Sequence, residues 1–267
     1  MGDISYKHLI ESMLWSHSRV KAFEDCPYCW YLKYIYYPAE SPEISKELFF
    51  ASYGSFIHNL LKDYYKGEVS AFNIRTSYLT DFATGVKGFA PSKAIYENYF
   101  LDGFRYLSSL RPSENEVLSV EDKAEFVVSS TPFVGYIDLV ERDCDGNIII
   151  TDHKSKDMKP RSKRKKPTLT DAELDSYLRQ LYLYSHYIKE KYGQFPSVLR
   201  FNCFRKGVVI EQQFNMEAYK EAIAWHLQKI DEISAEQDFR PDIEFWKCRH
   251  LCECQDVCEY YQLSKAK

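Results

Sequence analysis

Two aspartates and a lysine lie close to a predicted turn and could together hold a divalent cation. Asp138 lies in a β-rich segment, residues 133–140, and Asp152 and Lys154 follow three consecutive isoleucines beyond the turn. Carboxylate oxygens are the ligands that Mg²⁺ and Mn²⁺ prefer. A lysine beside such a metal can position a water and balance the charge that builds on a phosphate group. An isolated Asp-x-Lys pair is more often structural, but three converging charges favour metal-dependent phosphoester hydrolysis.

The short loop at residues 144–146 predicts which residues of this hairpin face each other. With Gly146 in the left-handed conformation that closes a three-residue loop, Asp138 falls opposite Asp152. A two-residue loop would instead place Asp138 opposite His153. The first register is our prediction.

The predicted register also decides which face of the sheet carries the charges. Residues that face each other share one side of the sheet, and Lys154 lies two residues beyond Asp152. We therefore expect Asp138, Asp152 and Lys154 on one face. The apolar residues expected beside them are Val134, Tyr136, Val140, Ile148 and Ile150. Two ionised carboxylates on such a face are costly unless a cation holds them.

Composition indicates a folded protein whose cysteines are thiols rather than disulfides. The 267 residues are 45% apolar and 16% aromatic, and the net charge of -4 does not by itself indicate a nucleic-acid partner. No stretch has the length of a signal peptide core or of a membrane span, so we expect a cytoplasmic protein without a membrane partner. In that compartment, clustered cysteines bind metals more often than they form disulfides.

The segment that follows Lys154 is strongly basic and could bind DNA. Seven cations and one acid occur between residues 155 and 166. The cations are Lys156, Lys159, Arg161, Lys163, Arg164, Lys165 and Lys166. Such a run is usually a solvated loop. Because this one begins directly after Lys154, a polyanion lying on it would cross the expected metal site.

Helices and further strands are predicted around the hairpin, which together indicate an α/β fold. The predicted helices span 18–25, 47–66, 71–83, 91–110, 171–192 and 217–237, and a shorter aromatic one runs from Pro27 towards Pro38. The further strands span 117–128, 198–205 and 208–214. Ser18 and Asp171 are the expected N-caps of two helices.

Four other polar residues have weaker sequence support. His58 lies on the helix at 47–66, where a single histidine is usually packed or solvated. Glu121 could reach the metal region but is more simply a surface residue. Gln180 and Tyr184 lie one helical turn apart and so point the same way.

Six of the eight cysteines lie near the two ends of the chain. Cys26 and Cys29 have the spacing of a metal pair, although burial explains them as well. Four more, Cys248, Cys252, Cys254 and Cys258, are close enough in sequence to converge on a soft metal. Zinc could be held by these four alone, whereas an iron–sulfur cluster could take one ligand from far away in the sequence.

Taken in order, these motifs resemble those of RecB-type nucleases of the PD-(D/E)XK superfamily. The matching motifs are S-x-V…CP at 18–27, G-x-x-x-H at 54–58, G-x-x-D at 135–138, D-x-K at 152–154, Q-x-x-x-Y at 180–184 and the terminal cysteines. The resemblance is to the iron–sulfur branch, which includes AddB nuclease domains, CRISPR-adaptation exonucleases and related phage nucleases. It covers nearly the whole chain.

The resemblance implies a restriction-endonuclease-like fold with one catalytic centre. A single domain, residues 1–267, would have a mixed central sheet flanked by helices. Its metal, Mg²⁺ or Mn²⁺, would be held by His58, Asp138, Asp152 and the backbone carbonyl of His153. Lys154 would lie beside the water. Gln180 and Tyr184 would help to place the DNA strand.

The same resemblance implies a [4Fe–4S] cluster that joins the chain ends, about 15–40 and 240–262. Its ligands would be Cys26, Cys248, Cys252 and Cys258. The spacing departs from the branch, which has C-x-x-C-x5-C where this chain has C-x3-C-x5-C with an additional cysteine. Cys254 could therefore replace Cys252, and Cys29 could replace Cys26.

The function that this reading implies is metal-dependent hydrolysis of DNA in recombination, repair or processing. We expect an exonuclease rather than an endonuclease, acting on single-stranded ends, with a recombination or adaptation protein as a further partner. The alternatives are a non-catalytic binding module of the same fold and a nucleic-acid-binding protein held together by Zn²⁺.

Overall fold

Five strands form one mixed sheet at the centre of the protein. A computed structural model describes residues 7–37 and 47–265. The strands are β1 (Glu116–Val128), β2 (Thr131–Arg142), β3 (Ile148–His153), β4 (Val198–Cys203) and β5 (Val208–Gln213). They lie in this order across the sheet, and of the strand pairs only β3 and β4 run parallel within the described residues. The predicted mixed sheet is confirmed, and the C-terminal ends of β3 and β4 lie at one edge.

The β2–β3 hairpin has the predicted register. Gly146 has a φ of +85°, and the pairs run from Arg142 opposite Ile148 to Leu139 opposite Thr151. One further step in this register places residue 138 opposite residue 152. The alternative with a two-residue loop is excluded.

Helices cover both faces of the sheet. They are α1 (Lys7–Glu11), α2 (His17–Asp25), α3 (Pro27–Tyr31), α4 (Phe49–Tyr65), α5 (Ala71–Gly85), α6 (Lys93–Ser109), α7 (Leu169–Tyr192), α8 (Met216–Ala235), α9 (Phe245–Leu251) and α10 (Glu259–Lys265), with a π-helical turn at Leu32–Tyr36. On β3, Ile148 and Ile150 belong to the core that α7 and α8 complete. His153 instead stacks on Tyr65 of α4, with ring centroids 5.7 Å apart. Alternate residues of one strand thus face two helical layers.

Two helices begin earlier than the sequence predicts. Ser16, rather than the predicted Ser18, caps α2, and its hydroxyl accepts a hydrogen bond from the amide of Arg19. Thr168, rather than Asp171, caps α7, and Asp171 completes a capping box from the third helical position. In both cases two suitable side chains lie two or three residues apart, and only the backbone conformation decides between them.

The N-terminal segment contacts both the sheet and the C-terminal segment. The amide of Trp15 donates to the carbonyl of Pro132, and the amide of Val134 donates to the carbonyl of Trp15. A small apolar cluster then joins Leu32 to Tyr261 and the cysteines around it. The single domain over 1–267, with a cluster-binding part at 15–40 and 240–262, stays a prediction, and residues 38–40 lie outside the described residues.

Two buried histidines form a hydrogen-bonded pair between α2 and α8. His226 Nδ1 lies 2.7 Å from the carbonyl oxygen of Ala222, and His226 Nε2 lies 3.0 Å from His17 Nδ1. Since a carbonyl can only accept, His226 Nδ1 donates, its Nε2 accepts and His17 Nδ1 donates. Burial keeps both rings neutral, lowering the pKa of His226 to about 4 and the pKa of His17 well below its usual value.

Because of this histidine pair, we expect the free energy of unfolding to fall in mild acid. Below pH 6.5 the unfolded chain binds protons that the folded histidines do not, so the free energy of unfolding falls as the pH falls. Each histidine contributes a loss of about 1.4 kcal/mol per pH unit. Between pH 7 and pH 5 the pair should contribute a loss of about 4 kcal/mol, measured by urea unfolding.

His226→Gln separates this effect from the titration of carboxyl groups. The variant should lose about half of the contribution made by the pair, because one of the two buried imidazoles no longer titrates. Identical pH dependence in the wild type and in His226→Gln would show that the pair does not govern acid stability.

Candidate active site

Three ligand-type side chains from three elements meet at the sheet. His58 lies on α4 beside the buried Ile57, Glu121 lies on β1 and Asp138 lies on β2. His58 Nδ1 is 3.8 Å from Glu121 Oε1 and 3.6 Å from Asp138 Oδ1. One ligand atom from each residue lies within 4.8 Å of the other two, so the group could hold a metal ion.

Glu121 is a member of this group that sequence reasoning placed on the surface. Val120 pairs with Leu139 and Asp122 pairs with Ile137, so Glu121 lies across from Asp138. Its φ of +51° is a left-handed conformation, which is uncommon for a residue other than glycine. Such strained positions occur at functional sites more often than elsewhere. No pattern in the sequence reveals the positive φ.

The electrostatics of this group centre on a charged imidazole between two carboxylates. Burial lowers the pKa of His58, but its interactions with Asp138 and Glu121 outweigh burial and raise that pKa to about 10. Burial likewise raises the pKa of Asp138, but His58 and His153 together lower it below its usual value. The site therefore stabilises positive charge at this point, which is where a divalent cation would also be stabilised.

The backbone of His153 connects β2 to α4. Its amide donates to Asp138 Oδ2 at 2.6 Å, and its carbonyl oxygen lies 2.9 Å from His58 Nε2. The carbonyl thus contacts the ring nitrogen of His58 that does not face the two carboxylates. The side chain packs edge-on against the His58 ring, with centroids 5.8 Å apart, and its Nδ1 lies 2.9 Å from Asn202 Nδ2. Burial lowers the pKa of this imidazole to about 4.

Asp152 and Lys154 form a second group beside the first, together with two residues of α7. The ammonium of Lys154 lies 2.8 Å from Asp152 Oδ2 and 3.2 Å from Gln180 Oε1. The amide nitrogen of Gln180 donates to the hydroxyl of Tyr184 at 3.3 Å. The structure therefore brings these four predicted residues together, although Asp152 lies outside the compact group formed by His58 and its two carboxylates.

Asp152 has the properties expected of a carboxylate that binds a cation. Burial raises its pKa to about 6, against the opposing effect of the Lys154 ammonium. Among the described residues, its Oδ2 accepts no well-aligned hydrogen bond although it is buried. Burial lowers the pKa of Lys154, but Asp152 outweighs burial and raises it, so the lysine stays charged. The Lys154 ammonium is in ionic contact with Asp152 Oδ2 at 2.8 Å, and a buried carboxylate beside other oxygen donors is of the type that binds a divalent metal.

Gly135 allows α7 to approach β2 closely. A Cβ atom at this position would overlap the phenol ring of Tyr184. The predicted alternation on β2 is wrong here, because Gly135 faces α7 whereas Tyr136, expected on the apolar face, is 56% exposed. Val140, Ile148 and Ile150 are buried as predicted.

Two cations of the basic segment pair with acids of α7. Lys156 pairs with Glu173 and lies 3.0 Å from the hydroxyl of Tyr177, and Arg161 pairs with Asp175. The other predicted DNA-binding side chains are exposed: Lys159, Lys163, Arg164, Lys165 and Lys166. Five cations therefore remain on the surface in the segment that follows Lys154.

The terminal cysteines converge from both ends of the chain. Cys29 Sγ lies 2.8 Å from Cys254 Sγ and 3.7 Å from Cys252 Sγ, and these three residues could hold a metal ion. Their hydrogen bonds lower the pKa of Cys252 to about 3, which favours the thiolate that binds metals.

A cavity of about 310 Å³ beside this group is lined by five of the cysteines: Cys26, Cys29, Cys248, Cys252 and Cys258. The sulfur of Cys26 accepts hydrogen bonds from the amides of Cys29 and Asp242, each at 3.4 Å. Cys254 is fully buried and does not line the cavity. The thiol set thus fits a group larger than a single ion.

Comparison with known proteins identifies the family. A model of the PD-(D/E)XK nuclease superfamily matches residues 14–259. The chain belongs to this superfamily. Membership implies a divalent metal and a nucleic-acid substrate.

Other comparisons add less. A candidate exonuclease from Eubacterium rectale has a similar structure, with 11% sequence identity and a TM-score of 0.46 over 98% of this chain and 92% of that chain. A search of curated proteins finds no match. Within the described ranges, every helix is too short or too polar to cross a bilayer.

The close approach of α7 to β2 leads to a prediction about Gly135. Gly135→Ala should lower the free energy of unfolding by about 1–3 kcal/mol, because the new methyl group must displace Tyr184. Thermal or urea unfolding measures the change.

Gly54→Ala is a matched control for this substitution. Gly54 lies inside α4, where a Cβ would meet only Ser155 Oγ at 3.9 Å. Alanine there should stabilise the protein by about 0.5–1 kcal/mol, since glycine is a poor helix former. A Gly135→Ala protein as stable as the wild type would contradict the packing described here.

Proposed function

We propose that this chain is a deoxyribonuclease that uses Mg²⁺ or Mn²⁺ to hydrolyse phosphodiester bonds, acting as an exonuclease on single-stranded ends. One observation carries the proposal. The backbone of His153 joins a group of metal-ligand type, His58, Glu121 and Asp138, to a charged lysine held against the buried Asp152. That combination of oxygen and nitrogen donors for a metal with a fixed ammonium is suited to binding a phosphate group.

The metal would be held by residues from four elements. His58, Asp138, Asp152 and the carbonyl of His153 are the ligands implied by the family resemblance, and the geometry adds Glu121. When bound, the metal would lower the pKa of a water and offset charge on the phosphate. Asp138 is already positioned for this, since the His153 amide fixes one carboxylate oxygen and leaves the other towards His58.

Lys154 would act beside the metal as a fixed positive charge. Asp152 and Gln180 hold its ammonium from two sides, so its position is set before substrate arrives. Gln180 is in turn oriented by Tyr184, which Gly135 allows to lie against β2. We assign Lys154 to water and phosphate positioning, and Gln180 and Tyr184 to placement of the DNA strand.

The preference for DNA ends rests on the basic segment and on the resemblance of the motifs. The exposed cations of the segment after Lys154 supply a path for a polyanion at the catalytic edge. The choice of an exonuclease, and of recombination or adaptation proteins as partners, rests on the resemblance of the motifs. The alternative is a binding module without hydrolysis, which the complete set of Asp138, Asp152 and Lys154 disfavours.

We further propose that the terminal cysteines hold a [4Fe–4S] cluster with a structural role. Its ligands would be Cys26, Cys248, Cys252 and Cys258, all of which line the 310 Å³ cavity. Cys29 and Cys254 remain the substitutes, and their short contact with each other is equally consistent with a second pair outside the cluster. Zn²⁺ is the alternative metal.

Lys154→Ala tests the hydrolytic proposal. The variant should keep its fold and its binding of Mn²⁺, while cleavage of end-labelled single-stranded DNA falls by about 10²–10³ or more, because an electrostatic contact to the phosphate is lost. EDTA should abolish cleavage by the wild type. Lys93→Ala, at an exposed position on α6, is the control and should cleave normally.

Retained cleavage in Lys154→Ala would overturn the assignment of this lysine. Comparison of linear with circular single-stranded DNA tests the exonuclease proposal, since only a chain with an end should be degraded. Equal cleavage of both forms would make the protein an endonuclease.

Cys26→Ser tests the cluster against zinc. An iron–sulfur protein purified without oxygen is brown, and this variant should lose its colour and most of its iron because one ligand is missing. Cys144→Ser, in the exposed hairpin loop, should keep both. A colourless wild type with one bound zinc, unaffected by Cys26→Ser, would favour a closed site made by the four C-terminal cysteines.

A further inference from the structure

A positively charged hollow of about 470 Å³ lies between α6 and the turn that follows β4. We call it the Asp102 hollow, and it is lined mainly by Asp102, Arg105, Tyr106, Phe204, Arg205 and Lys206. Within the described part of the chain, Asp102 is the single acid in this lining. Three cations and one carboxylate leave two positive charges without a balancing acid.

Asp102 holds the three cations in place. Its Oδ2 lies 3.4 Å from Arg205 Nε and 3.2 Å from Lys206 Nζ, and its Oδ1 lies 3.5 Å from Arg105 Nη1. The guanidinium of Arg205 also lies over the ring of Tyr99, 3.9 Å from its centroid. Because the buried carboxylate gathers these side chains beforehand, a ligand need not order them on binding.

The Asp102 hollow adjoins the candidate active site. The amide of Phe204 donates to the carbonyl of Lys154 at 3.1 Å, so the turn carrying Arg205 and Lys206 begins beside the catalytic lysine. The ring of Phe204 lines the hollow and also contacts the imidazole of His58, with centroids 6.2 Å apart. A single side chain therefore separates the hollow from a proposed metal ligand.

Another cavity on the same side of the sheet shows that such an excess of cations is not general. It measures about 410 Å³ and contains Arg111 and Arg200, but also Glu141 and Glu211. Its charges balance, and Arg200 lies 2.9 Å from each of these two glutamates. In the Asp102 hollow one cation would be enough to neutralise the carboxylate, and three are present.

We propose that the Asp102 hollow binds a second phosphate of the nucleic-acid strand, one or more nucleotides away from the phosphate that is cleaved. The inference rests on the proposed nuclease function and extends it. Arginine and lysine side chains that are already in place are the usual protein partners of backbone phosphates. Arg105 and Lys206 are the reachable members, with side chains 71% and 39% exposed.

The double variant Arg105→Gln/Lys206→Gln tests this site. It removes both reachable charges and keeps the buried contact between Arg205 and Asp102. Binding of labelled single-stranded DNA is measured by fluorescence anisotropy in EDTA, over a range of salt concentrations and oligonucleotide lengths. On long oligonucleotides in ~0.1 M salt the affinity should fall about tenfold or more, and the salt slope should decrease by about 0.7, the value for one phosphate of a single strand.

A matched pair of substitutions controls for net charge. Lys93→Gln/Lys220→Gln removes two exposed lysines of α6 and α8, each of which is near an acid in its own helix, and should change the affinity less than about twofold. The shortest oligonucleotides should bind equally to the wild type and to both double variants, because they do not reach from the active site to the hollow.

Three results would overturn the inference. The first is an unchanged affinity and salt slope in Arg105→Gln/Lys206→Gln. The second is an equal loss in the control pair, which would show a general charge effect. The third is an equal loss at every oligonucleotide length. In each case normal cleavage by the wild type leaves the proposed function standing, whereas a wild type that neither binds nor cleaves DNA contradicts both.

Discussion

The backbone of one residue, His153, holds the candidate site together. Its amide and carbonyl serve β2 and α4, and the amide of the next residue, Lys154, donates to Asn202 on β4 at 2.9 Å. At a buried strand end each backbone amide and carbonyl needs a hydrogen-bond partner. Here two of the partners are side chains of the candidate site, Asp138 and His58. The His153 side chain is fixed against α4, on the face of β3 opposite Asp152, so β3 cannot rotate without breaking contacts on both sides. The precision of the site therefore comes from backbone hydrogen bonds rather than from the charged groups themselves.

The sequence predicted those parts of the structure that depend on local chemistry. The loop closed by Gly146 determines the hairpin register, because only one left-handed position is available and each facing pair then follows. The long helices α4, α7 and α8 follow from apolar residues at helical spacing. The mixed sheet was predicted from the family resemblance of the motifs, since nothing in the strand sequences themselves indicates that β3 and β4 pair in parallel.

Other features depend on contacts that no local pattern encodes. Glu121 contacts His58 from a position with a positive φ, and Gly135, rather than Tyr136, faces α7 because the alternation along β2 is interrupted. The Asp102 hollow joins α6 to a turn about a hundred residues later, as the Arg205 contact with a separation of 103 residues shows. Two serines that lie two residues apart, such as Ser16 and Ser18, are equally suitable N-caps by sequence. Only the backbone conformation at each residue shows which of them caps the helix.

The meeting of the two chain ends has a consequence for synthesis of the protein. Trp30 is fully buried and stacks on Phe239, with centroids 5.8 Å apart, and Cys29 contacts a residue 225 positions away. A ribosome delivers Trp30 long before Phe239, so the face of Trp30 that Phe239 covers stays exposed until residue 239 has been synthesised. A prematurely terminated chain would keep this apolar surface exposed and become a substrate for chaperones and proteases. Only a chain long enough to include Phe239 can bury this face of Trp30, which limits the survival of shorter fragments.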